Sequence, residues 1–403
     1  MEALLLVNKP VLLGYVLWFS FSLVILLDVV GAYEPRSLNM SLRKFLIFLF
    51  AAIGAAISLL ILFWVIEYQF IGRYVIANLA FGGGSICYVL LLILEKLTKV
   101  NPPRTLLLLE EENSLSIKRE AEKSKKDGVW FSQNDLKSGQ SLEEFCKNKQ
   151  IDYIVFDRDL DAEETQILAL LASGLSIFSL AQFWESFFQK IPTKYVDNSW
   201  FIRLDLKLRN PLTHKIRRVF DFILAFTGLL ITFPLLCLVA LAIILDSGMP
   251  VLFSQKRVGA FGKLYTIHKL RTMRVDAESK GAMWATKRDE RTTPLGRFLR
   301  KYRIDEIPQF WNVIRGEMSL VGPRPERPEF INELSGKIPH WSSRTLLKPG
   351  LTGWAQILHS YSSDIKSSEE KLAYDLYYIK NASFTLDLEI ILSTLRSLKK
   401  GSR

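Results

Sequence analysis

The sequence predicts a membrane protein of the α+β class, and three observations predict it. Apolar residues make up 49% of the chain and collect in the first hundred residues and again between Phe220 and Leu245. Short β-rich runs alternate with helical stretches from about Pro103 to Asn198, the order expected of a parallel sheet. The remainder, from Pro250 to about Ser397, mixes extended pieces with amphipathic helices. A chain of 403 residues has room for several domains of ~100–200 residues each.

The first domain, residues 1–98, contains three apolar segments: Val11–Val30, Phe45–Ile66 and Tyr74–Leu94. Each approaches or exceeds the ~20 residues a helix needs to cross a bilayer. The first lacks a cleavable-signal pattern and reads as an anchor. Arg36, Arg43 and Lys44 follow the first span, and Lys96, Lys99 and Arg104 follow the third, against Arg73 alone between the second and third. The positive-inside rule then places the N-terminus outside and everything after Leu97 in the cytoplasm. Gly82-Gly-Gly84 in the third span either admits a close helix neighbour or merely weakens the helix.

The second domain, residues 103–200, is a small α/β unit with strands expected at Thr105–Leu109, Val129–Phe131, Tyr153–Phe156 and Leu175–Leu180. Glu110-Glu-Glu-Asn113 follows the first strand where a dinucleotide fold would carry G-x-G-x-x-G. Three carboxylates repel a phosphate and leave the backbone no close approach. A structural or docking unit is therefore expected here, and not a nucleotide-binding one.

The third domain, residues 214–403, opens with an apolar run from about Val219 to Leu245 that holds Pro234 near its middle. Proline removes a helical hydrogen bond and kinks the helix. Basic residues flank both ends, His214-Lys-Ile-Arg217-Arg218 before and Lys256, Arg257 and Lys263 after. Symmetric flanks fit a re-entrant helix that returns to the face it entered, against a fourth span that would cross. Beyond it, Val251–Phe253 and Leu264–Ile267 read as strands, and Leu295–Tyr302, Gln309–Ile314 and Leu386–Leu398 as helices. In the last helix Leu388, Ile391, Leu392 and Leu395 form the expected core face.

The net charge is +11. A basic surface beside apolar segments points to anionic headgroups or acidic substrates. Nucleic acid is not expected as a partner, because no zinc-finger or RNP-type motif occurs and the basic residues alternate with Gly-Pro turns instead of stacking aromatics. Cys87, Cys146 and Cys237 have no disulfide or metal-site spacing and read as inert packing residues.

The chemistry centres on Arg300-Lys-Tyr-Arg-Ile-Asp305-Glu306-Ile-Pro308-Gln309. Pro is favoured at the first position of a helix, so Asp305 and Glu306 are expected at a helix N-terminus, where phosphate is drawn. A carboxylate pair beside cations at such a place suits Mg²⁺-assisted phosphoryl chemistry. Around it crowd Ser254-Gln-Lys-Arg257-Val-Gly259, Lys269-Leu-Arg271-Thr-Met273, Asp289-Glu-Arg291-Thr-Thr293, Gly322-Pro-Arg324-Pro-Glu326 and Pro349-Gly-Leu-Thr352-Gly353-Trp354-Ala-Gln356. Gly and Pro at this density set tight turns that converge groups on one ligand, and Arg clamps phosphate oxygens.

Taken in order, these residues resemble the bacterial sugar transferases, the polyprenyl-phosphate phosphoglycosyltransferases of the monotopic superfamily. The resemblance runs from Lys215-Ile-Arg217-Arg218 with Asp221, through the boxes above and Met318-Ser-Leu-Val321, to Lys371-Leu-x-Tyr374-Asp375-Leu-Tyr-Tyr378. The chain is similar to the long form of the family, with a spanning bundle and a Rossmann-like domain ahead of the catalytic one, and to its exopolysaccharide branch. The resemblance implies that Asp305 is a nucleophile that attacks the β-phosphorus of a UDP-sugar, expels UMP and passes the phosphosugar to undecaprenyl phosphate. It implies Mg²⁺ held at Asp305 and Glu306, with Glu306 serving the metal or the lipid phosphate. Lys269, Arg271, Arg300 and Arg324 are the candidates for substrate phosphate, with Asp289, Gln309 and Pro234 in support. It further implies a multi-pass protein of the bacterial cytoplasmic membrane that works in the lipid bilayer beside later glycosyltransferases of exopolysaccharide or capsule synthesis, and it leaves open whether the chain pairs as a homodimer.

The sequence departs from the family pattern at Phe233, which precedes Pro234 where a Ser is usual, with Thr232 as a substitute hydroxyl. It also shows three N-terminal spans where four are usual. The competing reading is a catalytically idle membrane scaffold for polysaccharide assembly, against which the intact dyad and arginines stand.

Overall fold

The computed structural model describes residues 102–136, 141–157, 164–202, 204, 211–275, 277, 289–359 and 364–400, with Trp18, Ser22 and Ala55 as isolated helical positions. Apart from those three positions, the expected N-terminal spans, together with the glycine triplet at 82–84 and Cys87, lie outside the described residues. One compact unit, Arg104–Lys126 with Trp130–Arg403, holds the sites discussed below.

Its first part alternates β1 (Arg104–Leu108), α1 (Glu111–Lys123), β2 (Val129–Ser132), α2 (Leu142–Lys149), β3 (Tyr153–Phe156), α3 (Glu164–Ala172) and β4 (Ser176–Ser179). The sheet order is β2-β1-β3-β4, with β1 parallel to β3 and β3 parallel to β4. From Leu106 onward β1 is unbroken in its apolar residues, as befits a strand covered on both sheet faces. Leu106 and Leu108 pack with Phe145, Ile154 and Leu170, while Leu107 packs with Ile117, Val155 and Phe183. Cys146 lies in the first of these cores, where burial pushes its thiol up to about 11. Strand order reverses between β1 and β3, where nucleotide folds take their ligands. Here Asn113 donates to Asp157 Oδ2 at 2.9 Å and accepts from Lys194 at 3.1 Å and the Tyr195 hydroxyl at 3.2 Å. These polar groups satisfy one another.

A short helix α4 (Leu180–Phe183), a π-turn (Trp184–Phe188) and α5 (Asn198–Ile202) lead to α6 (Pro211–Ser247). At 37 residues, α6 is longer than the expected run and about 55 Å long at helical rise. It continues through Pro234. Among the described residues, His214–Ser247 is the helix long and apolar enough to cross a membrane. Phe226, Leu230, Ile231, Phe233, Leu238 and Leu245 are exposed along it. Pro234 leaves the Leu230 carbonyl without its helical donor. Thr232 does not fill that role: its hydroxyl donates at 2.7 Å to Gly228 O, two residues short of that carbonyl.

Both ends of α6 are fastened to the same body. Near the start, Asp221 accepts from Ser319 Oγ at 2.7 Å and Leu320 N at 3.2 Å, and Arg217 pairs with Asp387 at 2.7 Å. Arg218 donates to Ile314 O at 2.6 Å. At the far end Arg271 donates to Ser247 O at 2.9 Å. Arg217 and Arg218, named above in the basic flank of this helix, are therefore spent on protein contacts.

The body itself contains the antiparallel hairpin β5 (Leu252–Val258) and β6 (Leu264–Leu270), both longer than the sequence suggested. Then come α7 (Pro294–Lys301), α8 (Phe310–Arg315), β7 (Ser319–Val321), α9 (Pro328–Ser335), β8 (Gly350–Thr352), α10 (Trp354–Leu358), α11 (Ile365–Asn381) and α12 (Phe384–Lys400). β7 and β8 pair in parallel. Thr293 caps α7 by accepting from Gly296 N at 2.9 Å. The expected core face of α12 is corrected: Leu386, Asp387, Glu389 and Ile390 are the buried residues, and Leu395 is 54% exposed. A carboxylate can face inward because Arg217 and the Tyr378 hydroxyl, at 2.7 Å, both bind Asp387.

Candidate functional site

The dyad lies on a 3-10 turn, Ile304–Gln309, that runs directly into α8. Pro308 sits inside this turn, and α8 begins at Phe310 instead of at the proline. Arg303 opens the turn with φ 54°, a left-handed conformation that costs an L-residue about 1–2 kcal/mol. Side chains three apart eclipse in a 3-10 turn, which puts Arg303 on the same side as Glu306. Asp305 and Glu306 are 7% and 8% exposed.

Glu306 is surrounded by cations. Lys269 Nζ lies 2.8 Å and Arg324 Nη2 2.9 Å from its Oε1, and Arg303 Nη1 lies 4.0 Å from its Oε2. Burial alone would raise its pKa, but Lys269, then Arg324 and Arg303, outweigh burial and hold it well below the usual carboxylate range. Asp305 is the opposite case. Burial, then the adjacent Glu306 charge, pushes it up, against the pull of Lys269, Arg300 and Arg324. Among the described residues no hydrogen bond or ion pair ties the Asp305 carboxylate.

A recess opens beside the dyad, lined by Arg257, Lys269, Glu306, Gln309, Arg324 and Glu326, with Gly350 and Leu351 at its wall. Two of the glycine-rich motifs prove to be halves of one backbone crossing. Gly322 N donates to Thr352 O and Gly350 N to Pro323 O, both at 2.9 Å. A Cβ on Gly350 would stand 2.0 Å from Gly322 N, and one on Gly322 would stand 2.4 Å from Lys348 O. Only glycine permits this approach, and the crossing aims Arg324 at Glu306. Gln356, the last residue of the second motif, accepts from Arg324 Nη1 at 3.1 Å and Arg303 Nη1 at 3.4 Å.

Glu326 forms a second buried cluster. Lys371 pairs with it, and Arg344 Nη1 lies 3.6 Å away. Arg344 also pairs with Asp375 at 2.7 Å and donates to Arg324 O at 3.0 Å. Burial would raise Glu326, but Lys371 and Arg344 outweigh it and lower its pKa from 4.5 to about 2. A depressed carboxylate stabilises the fold fully above its unfolded value, and that contribution disappears as pH falls through the folded value. Glu326→Gln is therefore expected to unfold at a lower temperature than the parent at pH 7. The gap should narrow steadily between about pH 4.5 and pH 2; thermal scans across that range decide it.

The structure thus brings Asp305, Glu306, Lys269, Gln309 and Arg324 together. Arg300 donates to Thr272 Oγ1 at 2.8 Å and Thr292 Oγ1 at 3.2 Å, within electrostatic reach of Asp305. Arg271, 6% exposed, is turned to the end of α6, where its Nη2 also donates to Ser247 Oγ at 3.0 Å. Asp289 is bound by Arg291 Nε at 2.7 Å, and that hydrogen bond lowers its pKa. Pro234 lies within α6. Arg303 and Gln356 stand within the quoted motifs, yet sequence reasoning gave neither a role in the site. The 3-10 spacing from Arg303 to Glu306 is the signal that identifies the first.

No group of three or more His, Cys, Asp or Glu stands close enough to hold a metal by itself among the described residues. Mg²⁺ commonly takes one or two carboxylates and completes its shell with substrate phosphates and water. The untied Asp305 carboxylate fits that role. Glu306 fits it only on releasing some of its cations.

The sequence model for bacterial sugar transferases matches residues 212–401. The UDP-N-acetylgalactosamine-undecaprenyl-phosphate N-acetylgalactosaminephosphotransferase of Aeromonas hydrophila is 36% identical over 246 residues, 61% of this chain and 57% of its own length. A UDP-glucose:undecaprenyl-phosphate glucose-1-phosphate transferase of Caulobacter vibrioides is 41% identical over 184 residues, 45% of this chain and 69% of its own. The protein of the same name from Escherichia coli is 39% identical over 182 residues, 45% of this chain and 39% of its own. The chain therefore spans little more than half of the Aeromonas relative, and less of the Escherichia one. With most of the Caulobacter relative covered at this identity, the chain belongs to the bacterial sugar transferase family.

Proposed function

We propose that the protein moves a sugar-1-phosphate from a UDP-sugar to undecaprenyl phosphate through a phosphosugar ester on Asp305. The observation that carries this reading is a buried, untied aspartate beside a glutamate that three cations keep ionised. In the first step an Asp305 oxygen bonds to the β-phosphorus, and the bond from that phosphorus to the bridging oxygen breaks. UMP leaves with that oxygen and its electron pair. In the second step an oxygen of the lipid phosphate bonds to the same phosphorus, the Asp305 ester bond breaks, and the carboxylate is restored. Two steps replace one transfer between a soluble and a lipid substrate.

The raised pKa of Asp305 marks a more basic, better nucleophile. Glu306 holds Lys269, Arg324 and Arg303 around the recess, where they offset the charge of the diphosphate. Mg²⁺ at Asp305 and the diphosphate would supply charge neutralisation and stabilise the departing UMP.

The reading of membrane placement rests on α6. A helix that crosses the bilayer leaves its ends on opposite faces, yet both ends of α6 are bonded to one folded body. We infer that α6 dips into one leaflet of the bacterial cytoplasmic membrane and returns, with its exposed apolar side in lipid and the body on the cytoplasmic face. Residues 1–98 then anchor the chain, 103–200 form the middle domain and 214–403 the catalytic one.

The test is sustained UMP release in mild detergent with Mg²⁺, undecaprenyl phosphate and a panel of UDP-sugars. UDP-N-acetylgalactosamine and UDP-glucose head the panel, as the donors named for the relatives. Release over many turnovers with one donor, dependent on both Mg²⁺ and the lipid, is expected. A folded protein that releases UMP from none overturns the reading in favour of a membrane scaffold.

A further inference from the structure

The segment Trp184–Val196 lies ahead of the family-matched residues 212–401, yet it is bound to two of their helices. Lys190 is 4% exposed. Its Nζ stands 2.7 Å from Glu120 on α1 and 3.2 Å from Glu370 on α11, between the rings of Trp184 at 5.4 Å and Tyr374 at 5.3 Å. A buried ammonium is costly unless paired, so this lysine is built into a seam. Backbone contacts extend the seam. Ile191 N donates to Ala373 O at 2.9 Å, and Trp354 Nε1 on α10 donates to Gln189 O at 3.0 Å. Glu185 closes it at the end of α11 by accepting from Lys380 at 2.6 Å and Asn381 at 3.0 Å.

Each helix held in this way turns a neighbouring residue to a side chain that lines the recess. On α11 the residue after Glu370 is Lys371, which pairs with Glu326. On α10 the residue two after Trp354 is Gln356, which takes Arg303 and Arg324. Neighbouring helical residues point in different directions, so a single turn serves both the seam and the site.

We propose that Trp184–Val196 is a positioning element of the transferase site: it holds α10 and α11 from behind and sets where Gln356 and Lys371 meet the recess. None of its side chains needs to touch substrate. The role rests on the transferase reading above and gives the middle domain a use that needs no ligand of its own.

The test uses the full chain in mild detergent, with kcat and KM measured separately for the UDP-sugar and for undecaprenyl phosphate. Lys190→Met removes the charge, Lys190→Arg keeps it, and Trp354→Phe removes the indole donor while keeping an aromatic ring against Tyr377. Misplacement by a fraction of an ångström is expected to lower kcat/KM for the UDP-sugar about tenfold in Lys190→Met and Trp354→Phe. The lipid KM should stay within about twofold, and Lys190→Arg should recover most of the loss. Trp354→Phe combined with Gln356→Ala should lose no more than Gln356→Ala alone, since both act on one contact. Wild-type kcat/KM in folded Lys190→Met and Trp354→Phe overturns the proposal, as do fully additive losses in the double variant. If Lys190→Met does not fold, Trp354→Phe decides. If the parent releases no UMP from any donor, the transferase reading fails on its own. UDP binding then tests positioning, with weaker binding to Trp354→Phe supporting it and unchanged binding overturning it.

Discussion

Asp305→Asn is expected to lower UMP release by at least about 10³-fold without loss of the fold. The amide has the shape of the carboxylate but cannot form the ester. No hydrogen bond or ion pair ties that carboxylate among the described residues, and the attraction of Lys269, Arg300 and Arg324 is outweighed by burial and the Glu306 charge. The change also removes a buried like charge from beside Glu306, which burial and that neighbour already disfavour. Thermal unfolding of Asp305→Asn should therefore match or exceed that of the parent. A substantial fall in stability together with lost activity would instead mark Asp305 as a structural residue.

Glu306→Gln is expected to behave in the reverse manner. Lys269, Arg324 and Arg303 would then face a neutral amide. Breaking a buried charge pair by removing one partner costs about 3–5 kcal/mol, with the lower end expected here because Arg324 is 26% exposed. Activity should fall about 100-fold as the cations lose their anchor. UDP should raise the unfolding temperature of this variant more than that of the parent, since the diphosphate offers the cations a substitute anion. Equal stabilisation of both by UDP would show that these cations do not meet the diphosphate.

The contrast between the two carboxylates was legible in the sequence only in part. An adjacent Asp-Glu pair among Arg300, Lys301 and Arg303, followed by Pro308, reads from the sequence as a candidate phosphoryl site. Which of the two is tied down depends on groups brought from β6 and from the crossing after β7, and spacing along the chain does not show that. Lys269 and Arg271 look equivalent by strand alternation. They diverge because β6 ends at Leu270, and the chain beyond it turns Arg271 to the end of α6. Arg303 was counted among the neighbouring cations but given no role, because its approach to Glu306 needs a left-handed arginine and a 3-10 turn, neither of which composition announces.

The fold shows the same division. Runs buried on both faces, such as Leu106–Leu109, are unmistakable as strands because apolar continuity and length agree. The inner face of α12 was misread because apolar periodicity ignores Asp387, which Arg217 draws inward from far along the chain. The 17-residue helix α11 was quoted for its Lys-Leu-x-Tyr-Asp pattern yet not read as a helix. Its Lys371, Tyr374, Asp375 and Tyr378 are spent on Glu326, Lys190, Arg344 and Asp387. Such long-range partners exist only in the folded chain.

The most direct test of the central claim is a single-turnover reaction without undecaprenyl phosphate, using the best UDP-sugar labelled at its β-phosphorus. The account predicts a burst approaching one UMP per enzyme, with label retained on the peptide that contains Asp305 and absent from Asp305→Asn. Lipid added afterwards should discharge the label. UMP release that waits for the lipid, with no label on the protein at any time, would contradict it and show direct transfer between the two substrates.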